Sequence, residues 1–504
     1  MEEQHVVIAG GGPVGLWLAV ELRSGGILVT VVEQRTKVDE RSKALSIHPR
    51  TIEVLASRGA HKPFVVEGLP IPSGHFAALE ERLDLRELDT PFPYSLALPQ
   101  ARTEALLQEH ALRLGVTITR GHRVTGFTEA ADSVTVRVAG PKGVYEVEAA
   151  YLVGCDGTRS TVRAAAGIDF PGTPSTVLGW FGDVTLDSPP QPGFSTHTSQ
   201  GEVMVAPLSG GRFRVAGVDP DSLTTEWPGD LTLDELRRRT VAITGDDFGM
   251  RDPSWLTRVG NATRQATTYR RGRVLLAGDA AHQHFPVGGV GMNVGIQDAH
   301  NLGWKLAATL NGWAPDDLLD TYHAERHPVG ARLTKHTRAQ TALITTFTPE
   351  GLDLRSLLGE MIIGQPGFSQ ALAERLTALD VNYPSTDPAA RPPTDSVQGY
   401  PHLASLTGTR APDLAFTGTN AGLFTLLRAD AYLLLDLAAD GALDIPTLPG
   451  LAVHAGTLDQ PPAAWSKLHA ALIRPDGHVA WAGTDQDETT LRAALSQFIT
   501  TTAR

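Results

Sequence analysis

Apolar and polar positions repeat with different periods in different stretches of the chain. His5-Val-Val-Ile-Ala9 is a short apolar run that ends in glycines, Pro13 to Arg23 is rich in helix formers, and Leu28 to Glu33 is a second apolar run. Strand, tight turn, helix and strand in that order predict the start of a βαβ unit. Ser133-Val-Thr-Val-Arg-Val138 and Val144-Tyr-Glu-Val-Glu148 alternate at period two, with a Gly140-Pro-Lys-Gly143 turn between them. That is the pattern of half-buried antiparallel strands. Trp180 to Leu186, Glu202 to Ala206 and Arg212 to Val218 predict a second group of strands. The group lies between two nucleotide-type segments and reads as an inserted sheet. From Gln297 to about Met361 the pattern turns helical, with Ala299, Leu302, Leu306 and Leu310 at three- and four-residue spacing. Tyr383 to Pro393, rich in proline and small polar residues, predicts a linker. Beyond it, Ala431 to Leu437 and His478 to Trp481 predict strands, and Glu488 to Phe498 predicts a closing helix. No repeat of fixed period is visible.

Composition narrows the function classes. A chain of 504 residues implies two to four domains and a large core. Hydrophobic residues at 41% and charged residues at 20% argue against wholesale disorder. A formal charge of −13 lacks the footprint of a general nucleic-acid binder. The one cysteine, Cys155, excludes an internal disulfide framework, a CxxC pair and a cysteine-rich metal site. The acidic start and the glycines within Val6 to Val20 suit neither a signal peptide nor a membrane span. The expectation is a soluble, cytoplasmic protein with no membrane or nucleic-acid partner.

Three segments carry candidate chemistry. Gly10, Gly12 and Gly15 form GxGxxG between a predicted strand and a predicted helix, with Pro13 at the helix start. The first glycine permits the tight turn, the second lets backbone approach a pyrophosphate, and the third lets helix pack on strand. The helix start offers unpaired N–H groups and a positive dipole end. Glu33 closes the second strand, followed by Gln34 and Arg35. A carboxylate there accepts hydrogen bonds from ribose hydroxyls and repels a 2′-phosphate. The second segment, Gly154-Cys-Asp156-Gly157, reads either as a cofactor motif or as a plain Asp-Gly turn. Cys155 reads as a small buried residue. In the third, an apolar strand delivers Gly278-Asp279, and Pro286-Val-Gly-Gly289-Val290-Gly291-Met292-Asn293 opens a helix at about Met292. Asp279 can hold a ribose or ribityl hydroxyl, and the loop amides can face a phosphate or a flavin ring edge. His282 and His284 lack further ligands at a suitable spacing, so no metal is expected.

The combination resembles the FAD-dependent aromatic hydroxylases of the p-hydroxybenzoate hydroxylase fold. It is most similar to the polyketide-tailoring branch of angucycline and tetracycline hydroxylases and rifampicin monooxygenases. Tyr151 to Gly157, Asn261 to Gln265, Gln297 to Lys305, Tyr322 to His327 and Ile473 to Trp481 carry that likeness. The implied fold class is α/β: a Rossmann-like FAD-binding domain, an inserted antiparallel-sheet substrate domain and a C-terminal thioredoxin-like domain. The implied division assigns 1–72, 101–175 and 269–390 to the FAD-binding domain, the last with a helical region. It assigns 73–100 and 176–268 to the substrate domain, and 395–504 to the C-terminal domain.

The resemblance further implies NADPH or NADH as electron donor, O2 as co-substrate, and oxygen transfer from a flavin C4a-hydroperoxide to a polyphenol of aromatic polyketide type. Baeyer–Villiger insertion, ring opening, or non-catalytic sequestration of a ligand remain alternatives. No catalytic side chain is assigned, and monomer or homodimer is expected. By resemblance Gly10, Gly12, Pro13, Gly15, Glu33, Gln34 and Arg35 bind the ADP half. Lys43, Gln100, Arg102, Asp156, Gly278, Asp279, Pro286, Gly289, Gly291, Met292 and Asn293 serve the rest of the flavin. His75, Phe76, Trp180, Met204, Phe213 and Arg214 are the candidate substrate-lining residues. Two departures stand out: Val290 where the branch has glutamine, and Ser42-Lys43-Ala44 where it has Ser-Arg-Gly.

Overall fold

Strands buried on both faces lose their polar alternation, and Val6, Val7, Ile8 and Ala9 are all buried. His5–Ala9 lies inside a six-stranded sheet ordered 270–271, 274–276, 151–154, 5–9, 28–33 and 117–120. Its pairs are parallel except at the 270–271 edge, with Val6 opposite Tyr151 on one side and Val29 on the other. Parallel pairing brings the carboxyl ends of neighbouring strands to one edge, where ligands sit in open α/β sheets. The helix Pro13–Ser24 buries Leu16, Trp17, Leu18 and Val20 and packs on the long helix Val290–Leu310. The computed structural model describes residues 4–383, 406–419, 421–438, 443, 447–484 and 488–500. The expected linker from 384 to 393 lies outside the described residues.

The inserted sheet has five antiparallel strands in the order 195–198, 201–207, 213–218, 178–185 and 251–260. Alternation divides its faces. Trp180, Val184, Val203, Val205 and Val215 form a core with Leu236 and Ile243 of the helix Leu233–Thr244. Phe181, Asp183, Glu202, Met204, Arg214 and Val218 belong to the other face. The edge strand Arg251–Gly260 was not expected, because Pro253 interrupts it; an edge strand tolerates a missing N–H.

The C-terminal sheet, ordered 451–455, 432–436, 470–473 and 479–483, mixes one parallel pair with two antiparallel pairs. Charged residues join it to the FAD-side helices. Arg474 binds both Glu325 oxygens at 2.8 Å and Asp476 Oδ2 at 2.6 Å. Lys305 Nζ reaches Glu325 at 2.7 Å, and Trp304 Nε1 donates to Asp476 at 3.1 Å. Burial alone would raise the Glu325 pKa, but Arg474 and Lys305 hold it down at about 2. A paired network tolerates burial because each charge has a partner; removing one leaves the others uncompensated.

Candidate active site

The glycine turn is fixed by close approach. A Cβ on Gly10 would stand 2.3 Å from the Cys155 carbonyl oxygen, and one on Gly15 would stand 2.0 Å from the Gly10 carbonyl oxygen. Gly12 differs. Its φ of −80° suits any residue, and a Cβ there would meet no atom within 4 Å. Nothing in the protein itself requires glycine at 12, and the space beside it is open. The helix behind it starts with Pro13 and has no side-chain cap, so its first amides are left for a ligand. Glu33 is buried beside the turn, accepting from Gly11 N at 2.6 Å and from Arg35 N at 2.8 Å. Gln34 and Arg35 are exposed next to it.

The third segment meets the first. Gly278 takes φ +63°, and a Cβ there would strike Val14 at 2.9 Å. Asp279, next in the turn, is exposed at the end of the strand Val274–Leu276. The Gly278 N–H donates to Asp298 Oδ2 at 3.1 Å, and His282 Nε2 lies 2.7 Å from the same oxygen. Pro286 precedes a turn in which Gly288 and Gly289 take positive φ, and Gly291 packs against His284. Asn293 ties this loop: its Oδ1 accepts from His48 N at 2.8 Å and its Nδ2 donates to Gly289 O at 2.9 Å. Met292 beside it is half-buried.

The segment from Ser42 to Leu45 is pinned from two sides. Gln100 accepts the Ala44 N–H at 3.1 Å and donates to Glu104 at 2.7 Å. Burial raises the Glu104 pKa. From the inserted sheet, Arg214 grips Asp183 bidentately at 2.7 and 2.8 Å and donates to the Lys43 carbonyl at 3.1 Å. Its guanidinium lies 4.4 Å from the Phe181 ring centroid and 5.4 Å from that of Trp255, which also packs edge-on against Phe181 and lies beside Arg41. The Lys43 side chain is exposed. His48 and His75 are both pushed down to about 4 by burial, so both are neutral near pH 7. His75 Nδ1 accepts from Ala78 N at 3.2 Å, which leaves the proton on Nε2.

Four expected residues sit elsewhere or serve another purpose. Trp180 and Phe213 face the helix Leu233–Thr244, because strand alternation puts them opposite Phe181 and Arg214. Asp156 caps a helix: it accepts from Ser160 Oγ at 2.5 Å, Thr161 N at 2.7 Å and Val162 N at 3.1 Å. Arg102 is paired with Glu67 at 2.6 and 2.7 Å and with Glu109 at 3.1 Å. Met204 lies on the Arg214 face, and Phe76 packs against His336 and the Phe285 cluster. Sequence reasoning missed Arg41, His48, Phe181, Asp183, Trp255 and Asp298. Period-two alternation marks Phe181 and Asp183 as one face but does not say which face meets the cofactor.

Residues 3–337 match the family model described as FAD binding domain, and residues 404–501 match the model described as aromatic-ring hydroxylase, C-terminal. The chain belongs to the FAD-dependent aromatic-ring hydroxylases. An aromatic compound monooxygenase of Bacillus subtilis is 45% identical, over 96% of this chain and 95% of its own. The rifampicin monooxygenase of Streptomyces venezuelae is 41% identical, over 96% of each chain. The solved structure of an anhydrotetracycline hydroxylase from Streptomyces rimosus is 40% identical, covers 98% of both chains and superposes with a TM-score of 0.86. The hydroxylase is thus a flavin-dependent monooxygenase with FAD as cofactor and NAD(P)H as electron donor. The open space at Gly12, the uncapped helix start and the exposed Asp279 at the strand end fit that cofactor.

Proposed function

We propose that this hydroxylase adds one oxygen atom to an electron-rich ring of a polyketide-type polyphenol. FAD, when bound and reduced by NAD(P)H, supplies the oxygen-activating chemistry; the protein binds, orients and excludes water. The first amides of the helix Pro13–Ser24 receive the diphosphate, Glu33 the adenosine ribose and Asp279 a hydroxyl of the linker. The loop from Pro286 to Asn293 carries the ring system, with Gln100 and the Lys43 segment across from it. Gln34 and Arg35 flank the ADP half, and Gly278 sets the Asp279 turn.

One observation carries the reading. The second face of the inserted sheet is fastened to the loop at Lys43 through Arg214, and it meets the flavin-side loop in an apolar cluster. That cluster contains Ala77, Val218, Phe285, Val287 and Ile344, an apolar wall of the kind that borders a site for a fused aromatic ring. Met204, Arg214 and Phe76 are its proposed substrate contacts. His75 joins them as an Nε2–H donor to a phenolic oxygen. A donor there favours the phenolate, the more electron-rich form of the ring.

Val290, the departure from the branch pattern, is buried among Val294, Leu376 and Leu83 behind the loop, so it leaves the loop's amides in place. The acidic, single-cysteine chain suits a reducing cytoplasm, and no described helix is long and apolar enough to cross a membrane. We assign it there, as a monomer or homodimer with O2 as co-substrate, and retain the domain division given above.

The test is a panel of polyphenols with FAD and NADPH or NADH. One class should accelerate NAD(P)H oxidation and gain oxygen. Oxidation that no polyphenol accelerates would favour sequestration, and a ring-expanded or opened product would favour insertion.

A further inference from the structure

The C-terminal sheet contains no cysteine, yet its contact with the FAD side is made of buried charged and polar groups that continue to the cofactor loop. Asp298, fully buried, holds the Gly278 N–H and His282 through Oδ2 and accepts from Arg326 Nε through Oδ1 at 2.7 Å. Arg326 also donates to Val294 O at 3.2 Å and to the Tyr383 hydroxyl at 3.2 Å. The Tyr383 ring lies 4.2 Å from that of His478 and 4.9 Å from the Arg474 guanidinium, between centres. Its backbone N–H is bound to Gly408 O at 2.9 Å, and Gly408 N to Val479 O at 2.8 Å. Tyr383 therefore belongs to the C-terminal unit by its backbone and to the FAD side by its hydroxyl.

We infer that Asp298, Arg326 and Tyr383 are positioning residues that link docking of the C-terminal unit to the conformation of the Gly278–Asp279 turn, and hence to FAD affinity. The inference rests on the proposal that this turn holds FAD. Gly278 sits at a positive φ with its N–H anchored on one carboxylate oxygen. Without its outer partner Arg326 keeps only its bonds to Asp298 and Val294, so the carboxylate that orients the turn is held less firmly. Coupling of this kind is reciprocal: whatever docking does for FAD, FAD does for docking.

The test uses the full chain and Tyr383→Phe, which deletes only the hydroxyl and keeps the ring. FAD affinity is measured by flavin fluorescence, and amide hydrogen exchange of 470–483 is followed with and without FAD. In the parent chain, FAD should slow that exchange. In Tyr383→Phe, the FAD dissociation constant should rise about five-fold or more, the lower range of allosteric coupling. The slowing should shrink, while the apoprotein keeps its circular dichroism. Leu434→Ala, in the C-terminal core and outside the relay's hydrogen bonds, should lower the unfolding temperature and leave FAD affinity unchanged. An unchanged affinity in Tyr383→Phe, exchange at 470–483 indifferent to FAD, or an equal loss in Leu434→Ala would each overturn the relay. A parent chain that takes up no FAD would instead defeat the cofactor reading.

Discussion

Gly12→Ala separates the needs of the protein from those of its ligand. The added methyl would meet no atom within 4 Å, and φ of −80° admits it. On the protein alone it removes only unfolded-state freedom, a gain of about 0.4–1 kcal/mol. Differential scanning calorimetry of the apoprotein should show an unfolding temperature equal to or slightly above the parent's. On the proposed placement of FAD, the same methyl intrudes where the diphosphate approaches the helix amides. Losing one charge-assisted hydrogen bond costs about 1.5–3 kcal/mol, roughly ten- to a hundred-fold in affinity. Titration of apoprotein with FAD should show that loss. Gly15→Ala is the contrasting case: its methyl would stand 2.0 Å from the Gly10 oxygen, so the turn must move and the apoprotein must lose stability. A destabilised Gly12→Ala apoprotein, or one with parental FAD affinity, would refute the reasoning.

Arg474→Met leaves Glu325 and Asp476 buried with fewer partners and should destabilise the chain by about 3–5 kcal/mol, read by denaturant unfolding. Trp180→Ala should cost about 3–5 kcal/mol of stability through the cavity it leaves, whereas Met204→Ala should change substrate KM with little change in unfolding; the reverse would mean the sheet faces are misassigned. His48, His75, His336 and His478 are each held near 4 by burial, below the ordinary 6.5. Their neutral folded forms contribute stability that is complete above pH 6.5 and lost as pH falls towards 4, because the unfolded chain binds the protons first. The unfolding temperature should drop across that window, and a flat profile from pH 7 to 4.5 would contradict it.

The elements proposed to position the cofactor were legible because local rules dictate them. Glycines at 10, 12 and 15 between an apolar strand and a helix leave little choice of geometry, and Glu33 ends its strand beside them. The inserted sheet was legible as strands but not as faces: Trp180 and Phe181 look equally suited to a ring, and only the third dimension shows which one meets Arg214. The helix Leu233–Thr244 carried a readable signal that went unused, since Thr232 caps the Glu235 N–H at its start. Asp156 shows the opposite hazard, a motif residue whose oxygens serve its own helix. Asp298 and Tyr383 lie 85 positions apart, and no local pattern brings them together.

The most direct test of the central claim is a single turnover under oxygen-18 gas, with FAD-loaded protein, NAD(P)H and an accepted polyphenol. The account predicts a product carrying one heavy oxygen atom, and loss of that product in Gly12→Ala at FAD concentrations that saturate only the parent. A product whose new oxygen comes from water, or a chain that converts the polyphenol without FAD, would contradict it.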